Sequence, residues 1–184
     1  LNGFDPSSDQ VSSGNLLALD YWIVRQCQIL QKEVIDHYHE YNFLNIYQKL
    51  HNFCVIELGG FYLDVIKDRQ YTTQADSLAR RSTQTAMYHI LEMLSRMIAP
   101  ILSFTADEIW QNIPGERAVS VLLTDFSDSV TEFTEAQNFS DQFWRQVMVV
   151  KTAVNKELES KRAEKQVGSG LSAEVYLYCD QELE

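Results

Sequence analysis

Basic and aromatic side chains cluster at two places in this sequence, and both clusters could contact nucleic acid. The first follows an apolar helical run and consists of Lys67, Arg69, Tyr71, Arg80 and Arg81. Lysine and arginine neutralise phosphates, while tyrosine stacks on unpaired bases. The second lies in a predicted helix near the end of the chain and consists of Lys156, Lys161, Arg162 and Lys165. Its cations could bind phosphates along a nucleic-acid stem.

Each cluster also has a purely structural explanation. Lys67 and Arg69 end a predicted helix, where the helix dipole stabilises a cation by about 0.3–1 kcal/mol. The remaining cations could simply cover solvated helix faces. The net charge of −11 argues against a general nucleic-acid binder, because such domains are usually basic. RNA binding would therefore depend on these local patches, with the edge of Tyr62 as a further stacking candidate.

The other reactive side chains do not form a recognisable catalytic or metal site. The three cysteines lie far apart and lack the Cys-x-x-Cys spacing of zinc and redox sites. His37 and His39 cannot share one helical face, because neighbours on a face are three or four residues apart. The sequence has no glycine-rich phosphate-binding loop. We therefore expect no catalytic residue, no metal and no cofactor in this chain.

The composition indicates a cytoplasmic protein without membrane contact. No apolar run approaches the roughly 20 residues that span a bilayer. An odd number of cysteines without a signal peptide fits a reducing compartment. At 184 residues, 45% of them hydrophobic, the chain can form one domain, or one domain plus a fragment. It has no initiator Met, and we expect it to be part of a longer protein.

Helical periodicity dominates the chain. Apolar residues recur at three- and four-residue steps, which is typical of helices with one buried face. Asn42 and Ser140 are predicted N-caps, and Thr105 with Glu108 forms a predicted capping box. Pro100 is expected to end the third helix. The predicted helices cover residues 15–41, 43–68, 75–100 and 105–110, with a last long helix after Ser140, and residues 119–124 are expected to be extended or loop.

Gly59 and Gly60 lie in the middle of the second predicted helix. Each should cost about 1 kcal/mol relative to alanine. Close approach of a neighbouring helix would compensate this cost. The other explanation is direct contact between this backbone and RNA.

These elements predict a mainly α fold, an antiparallel helix bundle with a short, truncated α/β extension at the C-terminal end. Residues 1–138 are predicted to form the bundle. Residues 139–184 are predicted to begin a junction subdomain. There, a hinge at residues 168–170 follows the helix, and alternating side chains over Ala173–Cys179 indicate a strand.

Three sequence motifs resemble the anticodon-binding domain of bacterial isoleucyl-tRNA synthetases. They are Leu-Asn-Gly-Phe-Asp-Pro at residues 1–6, Phe-Tyr-Leu-Asp-Val-Ile-Lys-Asp-Arg-Gln-Tyr at 61–71, and Ala-Pro-Ile-Leu-Ser-Phe-Thr-Ala-Asp-Glu-Ile-Trp at 99–110. The third motif is similar in the isoleucyl, valyl, leucyl and methionyl enzymes, whereas the second points to the isoleucyl enzyme. The resemblance covers most of the chain and weakens after Pro114.

The resemblance implies that the chain binds the anticodon stem-loop of isoleucine tRNA. Lys67 is similar to the lysine that reads the first anticodon base in this family, and Arg69 is then expected to contact a phosphate or the loop. The parent enzyme would join isoleucine to its tRNA with ATP and Mg²⁺, and it would carry zinc. This chain lacks the family's ATP-binding signatures, His-Ile-Gly-His and Lys-Met-Ser-Lys-Ser. We therefore expect it to be inactive without the rest of the synthetase chain.

The resemblance also implies that the first helix of the bundle lies upstream of Leu1, which would leave an apolar groove exposed. Two alternatives stay open from the sequence. The chain could be the equivalent domain of the valyl enzyme, which reads a different anticodon. It could also be a helical protein-interaction module without RNA binding, which the acidic charge permits.

Overall fold

The computed structural model describes residues 1–126, 139–168 and 172–178. The chain forms two compact units, Leu1–Ala136 and Gln137–Glu184. The described parts are mainly helical, which confirms the predicted mainly α fold. In the first unit the α-helices are α1 (Ala18–His39), α2 (Phe43–Asn52), α3 (Leu63–Val65), α4 (Lys67–Thr72), α5 (Leu78–Ile98) and α6 (Ser103–Asn112).

The centre of the first unit is the packing of α1 against α5. The buried face of α1 includes Ile23, Val24 and Val34, all fully buried, and α5 contributes Met93 and Met97. These positions follow the helical periodicity of the sequence. The predicted cap at Asn42 is also confirmed, because its side chain accepts a hydrogen bond from the N–H of Asn45. Helix α2 packs on α1, and α6 packs on α5.

The second predicted helix is not continuous over residues 43–68. Helix α2 passes into a π-helix, π1 (Phe53–Tyr62), then into the short α3, and the helix is interrupted at Ile66 before α4 begins. Ile66 has φ −82° and ψ −4° and is 2% exposed, so the interruption falls at a buried residue. Lys67 therefore begins a short helix instead of ending a long one. The sequence pattern did not reveal this break, because its apolar spacing continues through it.

The expectation that a neighbouring helix approaches Gly59 and Gly60 is wrong. Both glycines are exposed and lie in π1. A Cβ at Gly59 would lie 3.1 Å from the carbonyl oxygen of Cys54, and one at Gly60 would lie 3.0 Å from that of Val55. Among the described residues, no atom of another element comes within 4 Å of either Cβ position. The crowding comes from the helix's own backbone five residues earlier, the spacing that a π-helix brings together.

An exposed apolar surface follows α2, π1 and α3. Its side chains are all at least 43% exposed, although they are among the more hydrophobic in the chain. The surface consists of Leu44, Tyr47, Val55, Ile56, Leu63 and Val65.

The first 17 residues pack along α5. The N–H of Val11 donates to Thr85 Oγ1 over 3.0 Å, and the N–H of Leu17 donates to Ser82 Oγ over 2.9 Å. Gln84 Nε2 donates to the carbonyl of Asn2 over 3.2 Å. These bonds explain why polar side chains are buried on α5, since a buried polar group is stable only when it is hydrogen-bonded.

Helix α6 ends the bundle around Trp110. The indole is 2% exposed, and the guanidinium groups of Arg96 and Arg117 lie over its ring at 4.6 and 4.7 Å from the ring centroid. Glu92 pairs with both arginines. The predicted capping box at Thr105 is wrong, because α6 already begins at Ser103, where no side chain caps the helix. Residues 121–123 form a 3₁₀ turn within the segment expected to be loop.

The second unit contains α7 (Asp141–Ala163). The predicted N-cap is confirmed, since Ser140 Oγ accepts a hydrogen bond from the N–H of Phe143 over 3.2 Å. The predicted strand is wrong over residues 173–178, which carry no strand hydrogen bonds, and Cys179 lies outside the described residues. The described part of this unit offers no second strand to pair with, and alternation alone cannot make a sheet. An α/β extension is therefore not supported. Two residues of the predicted hinge, 169 and 170, also lie outside the described residues.

Candidate nucleic-acid interface

Helix α4 presents two of the predicted site residues to solvent. Lys67 and Tyr71 are four residues apart, so about 40° separates them around the helix. Tyr71 is 85% exposed, and the Lys67 side chain is 63% exposed. An exposed aromatic ring beside a lysine ammonium can stack on an unpaired base and donate hydrogen bonds to its edge.

The exposed Lys67 forms an ion pair with Asp64, three residues earlier in the chain. Its Nζ donates to Asp64 Oδ1 over 2.7 Å, and this bond raises the pKa of Lys67. Both side chains are well exposed, and exposed ion pairs of this kind contribute little to stability. An incoming acceptor can therefore replace Asp64 at low cost.

Arg69 points the opposite way, into the bundle. It lies two residues after Lys67, which is about 200° around the helix. Its Nη1 is 3.4 Å from Asp20 Oδ2, and its side chain is only 29% exposed. The structure therefore separates Arg69 from the exposed face that Lys67 and Tyr71 share.

The two arginines at the start of α5 also have internal partners. Arg80 Nη1 donates to the carbonyl of Thr73 over 3.4 Å, which ties α5 to the end of α4. Arg81 Nη1 lies 3.1 Å from Asp9 and donates to the carbonyl of Gly3 over 2.8 Å. Arg80 thus contacts the residue that follows α4, whereas Arg81 contacts the N-terminal segment. Their predicted contacts with RNA phosphates stay predictions.

The uncompensated positive charge at this site is smaller than the sequence suggested. The sequence places four cations close together, but three of them have carboxylate partners in the structure. Of those three, only the Lys67 pair is mainly solvent-exposed. The fold thus leaves Lys67 as the cation best placed for direct contact.

A buried carboxylate, Asp20, was missed by the sequence analysis. It is fully buried and accepts hydrogen bonds from the Tyr62 hydroxyl over 2.7 Å and from Ser82 Oγ over 2.6 Å. Burial raises its pKa, while the bonds from Ser82 and Tyr62 and the charge of Arg69 oppose the rise. An acidic residue inside the apolar run Leu16–Ile23 was the available signal. The prediction that Tyr62 presents an edge for stacking is wrong, because its side chain is fully buried.

The second predicted cluster lies on α7 and at its C-terminal end. All four of its cations are exposed. Lys161 pairs with Glu164 over 3.1 Å, and Arg162 pairs with Glu159. Lys165 follows the end of the helix with φ +58°. The predicted stem contacts of Lys156, Lys161, Arg162 and Lys165 stay predictions.

Within the described ranges, no group of three or more histidine, cysteine or acidic residues is arranged to hold a metal ion. Cys27 is buried and Cys54 is exposed, and both are free thiols. Among the helices that the structure describes, none combines the length and apolarity that crossing a membrane requires.

Comparison with protein families gives one match that covers most of the chain. Residues 20–177 match the family described as the anticodon-binding domain of tRNA ligase. The matched range includes α4, α5 and α7 and extends beyond Lys165, so it contains all nine predicted RNA-contact residues.

Curated relatives resemble the chain along its whole length. An isoleucine–tRNA ligase of Pseudomonas aeruginosa (strain LESB58) is 56% identical over 184 residues, which is 100% of this chain and 20% of the relative. The isoleucine–tRNA ligase of Marinomonas sp. (strain MWYL1) is 55% identical over the same length and share. That of Pseudomonas putida (strain GB-1) is 56% identical over 183 residues, 100% of this chain and 19% of the relative. The chain thus spans about a fifth of the length of these relatives.

Proposed function

The chain belongs to the family of anticodon-binding domains of tRNA ligases, and from this premise we propose that it recognises the anticodon end of isoleucine tRNA. The names of its relatives support isoleucine as the amino acid. On this proposal, the ligase that contains the chain joins isoleucine to its tRNA in the cytoplasm. Binding at the anticodon places the acceptor end of the tRNA in a distant catalytic site.

The observation that carries the proposal is the exposed pair on α4. Lys67 and Tyr71 combine a mobile hydrogen-bond donor with a flat stacking surface, and anticodon bases are unpaired and can reach both. Phosphate contacts would position the RNA, whereas contacts to base edges would select it. We assign base reading to Lys67 and stacking to Tyr71. Contacts of Arg69, Arg80 and Arg81 with the anticodon stem-loop remain a further part of this proposal.

The proposed reaction uses ATP and Mg²⁺ in a catalytic site that we place outside this chain. The zinc expected in the parent ligase also belongs elsewhere in that ligase. No described residue of the chain is assigned a catalytic role. The contribution of this domain is binding energy that is available only when the correct anticodon is present.

The test is a binding titration of the full-length ligase with isoleucine tRNA and with variants of its anticodon. Lys67→Ala should weaken binding of the isoleucine tRNA by about 1–3 kcal/mol and relax discrimination at one anticodon base. Lys32→Ala on α1 removes the same charge from another exposed position, and we expect it to leave anticodon discrimination unchanged. An unchanged anticodon preference in Lys67→Ala would contradict the assignment.

Two further arms of the titration separate the alternative functions. Tighter binding to a valine anticodon stem-loop than to an isoleucine one would identify a valyl-type domain. A protein-interaction module would show no RNA binding at all. If phosphates are contacted, affinity should fall steeply as the salt concentration rises.

A further inference from the structure

Asp20 joins three elements that are distant in sequence. It lies on α1, accepts from Tyr62 on π1 and from Ser82 on α5, and faces Arg69 on α4. The chain separation is 42 residues to Tyr62, 62 to Ser82 and 49 to Arg69. A fully buried carboxylate is costly unless it is hydrogen-bonded and paired with a cation, so this position is tightly specified.

Helix α4 is only six residues long, and it follows α3 after the single residue Ile66, whose carbonyl accepts a hydrogen bond from the N–H of Gln70 over 3.0 Å. A helix of this length is not stable by itself in water. The structure supplies three anchors: the buried Ile66 before it, the bond from Arg80 to the carbonyl of Thr73 after it, and the pair between Arg69 and Asp20 at its middle. The first two hold its ends. The third sets its rotation, because it fixes which side of the helix faces the bundle.

The rotation of α4 decides what the helix presents to solvent. With Arg69 held inward, Lys67 and Tyr71 lie on the opposite side. Both side chains are attached to the same short helix. A rotation of α4 about its axis would therefore move both of them away from their present directions.

We propose that Asp20 is a positioning residue for anticodon recognition, which acts by holding Arg69 and thereby directing Lys67 and Tyr71 outward. This inference rests on the proposed function. Asp20 does not touch the RNA, and its effect is transmitted through Arg69. Arg69 is accordingly an orienting side chain whose guanidinium is directed to the protein interior.

The first experiment measures aminoacylation by the full-length ligase with the isoleucine tRNA and with an anticodon variant. The readout is the ratio of the two kcat/KM values. Asp20→Asn keeps the size of the side chain and one acceptor oxygen, so it retains the hydrogen bond from either Tyr62 or Ser82 but not both, and it removes the charge that holds Arg69. We expect the ratio to fall by about 10- to 100-fold, since small misplacements of positioning groups cost that much.

The matched control is Tyr62→Phe. It removes a hydrogen bond to the same carboxylate but leaves the carboxylate charge beside Arg69. It should lower thermal stability while keeping the ratio within about twofold of the original protein. A general structural role for this buried cluster would instead make Tyr62→Phe and Asp20→Asn lose discrimination together, and that outcome would overturn the proposal.

Arg69→Met provides a second test if Asp20→Asn does not fold, because the Asp20 carboxylate keeps its hydrogen bonds from Tyr62 and Ser82. Loss of discrimination with little change in KM for the anticodon variant supports the positioning role. If Arg69 instead contacts RNA directly, Arg69→Met should weaken all tRNAs alike, and Asp20→Asn should not lower the ratio. The double variant Asp20→Asn/Arg69→Met should lose no more than either single variant, because both remove one shared contact.

The same variants distinguish failure of the positioning role of Asp20 from failure of the proposed anticodon function. If Lys67→Ala loses discrimination while Asp20→Asn and Arg69→Met keep it, the anticodon function stands and the positioning role is wrong. If Lys67→Ala also keeps its anticodon preference in this assay, the proposed function itself is wrong.

Discussion

Lys67 and Tyr71 have complementary chemistry on one exposed side of a short helix. The ammonium offers up to three hydrogen bonds, and the phenol ring offers a face that accepts any base. Asp64 neutralises the lysine in the free protein, so the pair should attract phosphates less than an isolated lysine would. This balance favours recognition of base edges over binding of any polyanion.

Two substitutions of Tyr71 distinguish base stacking by its ring from hydrogen bonding by its hydroxyl. Tyr71→Ala should weaken tRNA binding by about 1–3 kcal/mol, because the stacking surface is lost. Tyr71→Phe retains the ring and should bind as the original protein does. The measurement is an equilibrium titration of the full-length ligase at constant salt. Equal losses in both variants would show that the ring does not stack on a base.

At the scale of elements, π1 is the segment whose geometry departs furthest from the sequence pattern. Its apolar residues continue the helical spacing of α2, yet its hydrogen bonds span five residues. Gly59 and Gly60 are exposed there, and each lacks the Cβ that would press on the preceding turn. The glycines therefore have a backbone explanation that requires no neighbouring helix.

Alanine at Gly60 tests this explanation. In an exposed α-helix, Gly→Ala stabilises by about 0.5–1 kcal/mol. At Gly60 the new Cβ would lie 3.0 Å from the carbonyl oxygen of Val55, so we expect this gain to be lost or reversed. Asn52→Ala, at the exposed end of α2, is the control and should be stabilising by a few tenths of a kcal/mol. Chemical denaturation of all three proteins measures the difference, and a full gain at Gly60 would contradict the π-helical geometry.

At the scale of the whole molecule, the bundle is held by its core and by buried polar groups that connect distant elements. Tyr38 on α1 donates to the carbonyl of Met97 on α5 over 2.8 Å, and burial raises the pKa of Tyr38 to about 12. Burial has the opposite effect on a base, and it lowers the pKa of His89 on α5. Ionisation of such groups links global stability to pH.

His89 should make the protein less stable in mild acid. Its pKa in the folded state is below the ordinary value of 6.5, so the unfolded chain takes up a proton first as the pH falls. Its contribution is therefore fully present above pH 6.5 and declines below it. Asp20 and Glu57 have raised pKa values, and their contributions change in the opposite sense near the ordinary carboxyl range.

Two histidine variants measure how much His89 contributes to the pH dependence of the Tm. The Tm of the original protein should fall between pH 7.5 and 5.5, and His89→Gln should show a smaller fall. His51→Gln alters an exposed histidine and should retain the original slope. An identical pH dependence in His89→Gln and the original protein would show that His89 does not contribute.

The sequence by itself determined the features that depend on neighbouring residues. The helical spacing of α1 and α5, the caps at Asn42 and Ser140 and the end of the third helix before Pro100 all follow from groups within about one turn of each other. The motifs around Lys67 and Trp110 also indicated the anticodon-binding family, and the family match confirms it.

Only the tertiary structure decided how these elements present the site. The burial of Tyr62 and the inward turn of Arg69 both involve a side chain that is distant in sequence, Asp20, which is 42 residues from Tyr62 and 49 residues from Arg69. The same applies to the predicted strand at residues 173–178, because alternation describes one strand but not its partner. Local patterns fix which face of a helix is apolar. The direction of a charged side chain is set by the partner that the whole fold brings to it.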